Sequence, residues 1–223
     1  RPEHVTASLT SCPEVMVNGV NSGQDSEELL KKCNVIAIGP GLGQSAWSEQ
    51  LLQRVHWEAE ERNVPVIMDA DALNLLTKLK LSSQLPKNLL ITPHPGEASR
   101  LLKTNVANVE IDRFKSTLKL QKKYNATVVL KGAGSIIGYI KNRNMNYGVC
   151  SAGNPGMAKG GMGDILTGMI AGLIGQGFSL NEAAEIGVDL HSKAADLASM
   201  EVGEIGLTPT DVIDAMRELV RYD

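Results

Sequence analysis

The sequence predicts a three-layer α/β domain built on a mainly parallel central sheet. Three observations carry that expectation. Short apolar runs alternate with longer stretches of helical periodicity, the order expected of βαβ units. The runs are apolar at successive positions rather than at alternate ones, as strands buried on both faces require. Each of the first four runs ends in an unusual loop of glycine, proline or charged residues. In an open parallel sheet, ligands bind beyond the carboxyl ends of the strands, where such loops lie.

The first run, residues 34–38 (NVIAI), ends in Gly39-Pro40-Gly41-Leu42-Gly43. Residues 45–62 then read as a helix, with Trp47, Leu51, Val55 and Ala59 spaced four apart on one face. Residues 64–68 (VPVIM) form a second run ending in Asp69-Ala70-Asp71, followed by a short helix over 72–79. The third run, 88–91, ends in Thr92-Pro93-His94-Pro95-Gly96-Glu97 and leads into helices expected over 96–103 and 109–124. The fourth, 126–130 (ATVVL), ends in Lys131-Gly132-Ala133-Gly134. Residues 135–140 and 145–149 form a hairpin about a Lys-Asn-Arg-Asn turn. Helices are expected over 164–174, 180–200 and 209–222, the last with Thr208 as N-cap and Pro209 at the first helical position. Gly168 and Gly172, four apart, suggest a close packing face on the first of these helices. No internal repeat or linker interrupts the pattern, so residues 1–223 are expected to form one domain.

Composition excludes several classes. A net charge of −3 gives no electrostatic footprint for nucleic acid or an anionic membrane, and 4% aromatic residues supply no base-stacking platform. No apolar run approaches the ~20 residues that span a bilayer. Cys12, Cys33 and Cys150 are too few for a disulfide framework and lack metal-site spacing, which suits reduced thiols in a cytoplasmic setting. The opening Arg-Pro-Glu-His carries no apolar signal region.

Thirteen of the 22 glycines lie between Gly132 and Gly177, centred on SAGNPGMAKGGMGD at 151–164. Gly160, Gly161 and Gly163 precede an apolar helix. Glycines let backbone N–H groups approach a ligand closely, and a helix N-terminus adds free N–H groups and a positive dipole end. The combination is an anion hole suited to phosphate. Asp164 then has two readings, an ordinary N-cap or a general base that takes a hydroxyl proton while the amides hold a transferring phosphoryl group. The loop is not a Walker A motif, and Ala46 stands where a dinucleotide fingerprint would place its last glycine.

GPGLG (39–43), DADALN (69–74), ITPHPGE (91–97), VVLKGAG (128–134) and AGNPGMAKGGMGDILTG (152–168) occur in the order and spacing of one family. The chain resembles the ribokinase-like ADP/ATP-dependent NAD(P)H-hydrate dehydratases, from about Val35 to its C-terminus and more weakly before it. The resemblance implies a ribokinase-like fold and nucleotide-dependent repair of (6S)-NADHX and (6S)-NADPHX. It makes Asp164 the catalytic base and a substrate contact, with Gly41, Gly43 and His94 also touching substrate. It places the nucleotide on Lys131, Gly132, Ala133, Gly134 and Ser135 and on Gly161, Met162 and Gly163. Glu97 would organise Mg²⁺ through water, or else simply start its helix in the favourable dipole. Asp69 and Asp71 would position substrate or metal, with helix capping an equal alternative for Asp71. His4, His56 and His191 are not expected to be catalytic.

The resemblance also implies self-association, a functional or fused NAD(P)HX epimerase, and cytoplasmic location, or mitochondrial in a eukaryote. Family members begin with a glycine-rich segment upstream of this chain's start, so an N-terminal piece is expected to be missing. Two other readings compete. A ribokinase-like kinase of a vitamin precursor would share the glycine loop and base but release a phosphorylated product. An inactive nucleotide-binding fragment would bind without turnover.

Overall fold

The computed structural model describes residues 1–79 and 85–221. The four apolar runs form β1 (Ile36–Ile38), β2 (Val66–Met68), β3 (Leu89–Ile91) and β4 (Thr127–Leu130), adjacent in that order and all parallel. The hairpin β5 (Ile136–Lys141) and β6 (Asn144–Val149) extends the sheet antiparallel to β4. Its two connecting residues, Asn142 and Arg143, both have positive φ, as a two-residue hairpin turn matching the strand twist requires.

Side-chain alternation explains why the runs are continuously apolar. Val66, Met68, Leu89, Ile91, Val128 and Leu130 face one core, whereas Ile67, Leu90, Val129 and Ile137 face the other. The first face is covered by α3 (Ala46–Arg62), α4 (Ala70–Leu79), α5 (Pro95–Leu102) and α7 (Arg113–Tyr124). The second is covered by α8 (Met162–Gly175) and α9 (Leu180–Gly206). A smaller cluster, including Met162, Ala194, Ala198, Leu207 and Val212, docks α10 (Pro209–Leu219) against α8 and α9. Burying each large side chain in these layers contributes ~1.5–3 kcal/mol. The three-layer arrangement is the one expected.

Local chemistry sets the boundaries. Ser45, Ser179 and Thr208 begin α3, α9 and α10 as reciprocal capping boxes. The helix expected over 109–124 is two helices, α6 (Val106–Ile111) and α7, because Asp112 leaves helical geometry and its carboxylate caps Lys115 N at 2.8 Å. Asn105 caps α6 in the same way. α8 begins at Met162, two residues before the expected start, so Met162 and Gly163 are helical. α9 runs on to Gly206 through a non-helical Gly203. Tyr222, the expected end of the last helix, lies outside the described residues. The glycine face of α8 is a correction: Gly168 and Gly172 are exposed, and a Cβ at either would meet nothing within 4 Å. Two N-terminal helices, α1 (Val5–Ser11) and α2 (Glu27–Leu30), carry too little periodicity to have been anticipated.

Candidate active site

The loops after β1, β2, β3 and β4 meet on one rim of the sheet. Gly39 has φ +132, and a Cβ there would lie 1.7 Å from the Asp69 carbonyl oxygen, so only glycine lets β1 leave the sheet beside β2. Gly41 and Gly43 also have positive φ, and the space around Gly41 is open. Asp71 ties this loop down. Its carboxylate accepts from Gly43 N at 2.9 Å and from Gln44 Nε2 at 3.0 Å, contacts that brace the glycine loop.

Asp69 is the buried centre of the rim, 1% exposed. One carboxylate oxygen accepts from Lys131 Nζ at 2.7 Å, and the other from Thr167 Oγ1 at 3.0 Å. A buried carboxylate is tolerated because both oxygens are satisfied and the charge is paired. The pair joins the ends of β2 and β4 to the first turns of α8. The Lys131 ammonium also lies 3.9 Å from Glu97 Oε2.

His94 stands at the N-cap of α5, fixed between two prolines. Its Nδ1 accepts from Gly96 N at 3.0 Å, which assigns the ring proton to Nε2, 3.4 Å from Glu97 Oε1. Glu97 is buried and its Oε2 accepts from His94 N at 2.9 Å, closing a capping box. Burial holds the His94 pKa below its ordinary value. The Glu97 carboxylate opposes that shift, and Lys131 and Arg100 reinforce it. His94 is therefore a neutral ring near pH 7, half-exposed to the rim.

The N-cap of α8 is Gly161, with φ +93 and no side-chain cap. This removes the N-cap reading of Asp164, which sits in the first turn, its exposed side chain making no hydrogen bond or ion pair among the described residues. A Cβ at Gly163 would lie 3.2 Å from Lys131 Nζ and 3.4 Å from Asp69 Oδ2. The uncapped helix start and the ammonium are thus direct neighbours. Positive charge and free N–H groups converge there, beside one unpaired carboxylate.

The turn 131–135 lies next to this point. Lys131 N donates to Pro93 O at 2.9 Å, linking it to the His94 loop. The amides of Gly132, Ala133, Gly134 and Ser135 donate no hydrogen bond among the described residues. Gly132 and Gly134 have positive φ, the backbone shape of an anion-binding turn.

No three His, Cys, Asp or Glu side chains among the described residues are arranged to hold a metal. Mg²⁺ does not require such a cage, because one carboxylate with water and phosphate oxygens serves. Glu97 fits that demand as a buried carboxylate on the rim.

The structure therefore brings His94, Glu97, Lys131, Gly163 and Asp164 to one rim, joined to Gly41 and Gly43 through the Asp69–Asp71 segment. Sequence reasoning missed Thr167, which sits one helical turn after Asp164 and was legible from that spacing. It also missed Gly39 as the glycine of closest approach. No helix among the described residues is long and apolar enough to cross a membrane.

Comparison with known proteins follows this geometry. Residues 1–218 match the family model described as NAD(P)H-hydrate dehydratase. The bifunctional NAD(P)H-hydrate repair enzyme Nnr of Coxiella burnetii is 47% identical over 220 residues, covering 99% of this chain and 43% of that protein. The chain spans about two fifths of the length of such curated relatives. A ribokinase-like superfamily protein of Enterococcus faecalis superposes with a TM-score of 0.84 at 29% identity, over 96% of this chain and 72% of that one. The ADP/ATP-dependent NAD(P)H-hydrate dehydratase of Bacillus subtilis, co-crystallised with ATP/Mg²⁺ and soaked with CoA, superposes with a TM-score of 0.80 at 26% identity, over 97% of this chain and 77% of that one. The fold is ribokinase-like, and with a family model matched along nearly its whole length the chain belongs to the NAD(P)H-hydrate dehydratase family.

Proposed function

We propose that this chain dehydrates (6S)-NADHX and (6S)-NADPHX to NADH and NADPH at the expense of ADP or ATP. The observation that carries the reading is the unpaired Asp164 carboxylate in the first turn of an uncapped helix, where the preceding residue, Gly163, faces the Lys131 ammonium.

Hydroxide is a poor leaving group, so the C6 hydroxyl must be converted into a better one. Asp164 takes the hydroxyl proton as the oxygen attacks the terminal phosphorus of the nucleotide. The bond from that phosphorus to the bridging oxygen breaks, and the shortened nucleotide departs with the bond's electron pair. Amides of the turn 131–135 and of the first turn of α8, with Lys131, stabilise charge on the phosphoryl oxygens. The ring nitrogen lone pair then expels phosphate from C6. The released phosphate or water then takes the C5 proton from the resulting iminium, and the C5–C6 double bond is restored.

Glu97, through water, would hold a magnesium ion carried on the nucleotide phosphates. When bound, that ion neutralises phosphate charge. Gly41 and Gly43 leave room for the dinucleotide to approach the backbone, and His94 offers a neutral ring to it. An epimerase supplying the 6S form, fused or separate, self-association and a cytoplasmic setting belong to the same reading.

The test is absorbance at 340 nm on mixing the chain with Mg²⁺, NADHX and ADP or ATP, with inorganic phosphate measured in parallel. The expected result is reduced nicotinamide and phosphate appearing one for one. A stable phosphorylated product without the absorbance rise would instead indicate a kinase.

A further inference from the structure

We propose that Arg113 is a positioning residue that holds the turn 131–135 in its anion-binding shape. The inference rests on that turn being the nucleotide site. Arg113 opens α7, twenty residues from the turn's Ala133 in sequence. Its Nη1 donates to Ala133 O at 2.7 Å, and its Nη2 to Leu130 O at 3.2 Å and Lys131 O at 3.4 Å. One guanidinium therefore collects three carbonyls from the end of β4 and the turn.

Peptide planarity gives the consequence. In a trans peptide the carbonyl and the following N–H point in opposite directions, and the chain has no cis peptide bond. Drawing the Leu130 carbonyl toward Arg113 turns Lys131 N away, and it reaches Pro93 O. Drawing the Lys131 and Ala133 carbonyls the same way turns the N–H groups of Gly132 and Gly134 outward. These two donors have no partner among the described residues. The turn thus has a carbonyl side neutralised by a cation and an N–H side open to an anion.

Gly132 is matched to the same arrangement. A Cβ there would lie 2.9 Å from Arg113 Nη2, and its φ of +148 disfavours any side chain. Without the guanidinium, three carbonyl dipoles would face one another with a bulky cation replaced by a void. The turn would relax toward shapes in which its amides no longer converge. Arg113 is well suited to the task, because its planar fork presents several donors in fixed geometry where lysine offers a single nitrogen.

The test compares Arg113→Met and Arg113→Lys with the wild-type chain. ADP and ATP dissociation constants are measured by calorimetry, KM values for nucleotide and for NADHX by turnover, and Tm by calorimetric melting. Arg113→Met is expected to weaken nucleotide binding roughly tenfold or more, the scale of lost charge-assisted hydrogen bonds. The KM for NADHX should rise less than the nucleotide dissociation constant, because the His94 loop keeps its capping box with Glu97 and the Gly41 loop its bonds to Asp71 even if the Lys131 N link to Pro93 O loosens. Arg113→Lys should recover part of the affinity. Wild-type nucleotide affinity in a folded Met variant would overturn the proposal, as would an equal rise in both KM values, which marks general loosening. If the Met variant does not fold, Arg113→Lys decides: intermediate affinity supports the assignment and wild-type affinity overturns it. A wild-type chain that binds neither ADP nor ATP would overturn the nucleotide site itself, and Arg113's role with it.

Discussion

Asp164→Asn separates chemistry from architecture more cleanly than any other single change. The side chain is exposed and makes no hydrogen bond or ion pair among the described residues, and the N-cap of α8 is Gly161. Folding therefore loses only the attraction between a negative charge and the helix start, about 0.5 kcal/mol for an exposed first-turn carboxylate. For a chain of this size that shifts Tm by roughly 1–2 °C. The rate effect is of a different order. Asparagine has nearly the same shape but does not accept the C6 hydroxyl proton, and losing a general base slows the reaction by about 10²–10⁴-fold. That corresponds to ~3–5 kcal/mol of barrier. Nucleotide affinity should hold or improve, because a like charge beside the phosphates is removed. The assay is initial rate at 340 nm with saturating NADHX and ADP or ATP, beside calorimetric affinity and Tm on the same preparation. A stable variant with wild-type turnover would remove Asp164 as the base, and the proposed mechanism with it.

Gly163→Val should block nucleotide binding and lower stability, because its Cβ would enter within 3.2 Å of Lys131 Nζ and 3.4 Å of Asp69 Oδ2; unchanged calorimetric affinity would count against the placement of the terminal phosphate. Asp69→Asn leaves the Lys131 ammonium without its buried partner. Lys131 is 19% exposed and Glu97 lies 3.9 Å away, so the full cost of ~3–5 kcal/mol for a broken buried pair is reduced to about 2 kcal/mol. If Asp69 acts through Lys131, adding Asp69→Asn to Lys131→Met should slow turnover no further; multiplicative losses in kcat would refute that coupling. His191 is buried, with its pKa pushed down to about 4 by burial and by Lys131. The unfolded chain binds this proton near pH 6.5 and the folded chain only near 4, so stability is full above 6.5 and falls by about 3 kcal/mol as pH drops to 4. Urea midpoints at pH 7 and 4.5 should differ less in His191→Leu than in wild type, and an unchanged difference would refute the assignment.

Much of the fold was legible because parallel strands buried on both faces leave the sequence little choice. Every position from Val66 to Met68, and from Leu89 to Ile91, must be apolar, and it is. Capping is equally local, as Thr208 before Pro209 shows. The break at Asp112 was missed because apolar periodicity runs on across it, while the capping bond to Lys115 N is visible only to a reader searching for caps. The Gly168–Gly172 pair was misplaced for a different reason. Spacing shows that two glycines share a helix face but not which way that face turns.

For the candidate rim, the sequence by itself determined which loops lie at strand ends and which of them carry glycines, the residues that favour left-handed backbone. Those properties follow from steric rules within a few residues, at Gly41, Gly43, Gly132 and Gly161. Tertiary structure alone decided the pairings. Asp69 meets Lys131 across 62 residues and Thr167 across 98, and Arg113 gathers the carbonyls behind the turn. A chain of this composition offers many lysines and aspartates of equal local standing. What singles out one pair is the geometry of adjacent strand ends and the expense of leaving a buried charge unpaired, and both exist only once the sheet has formed.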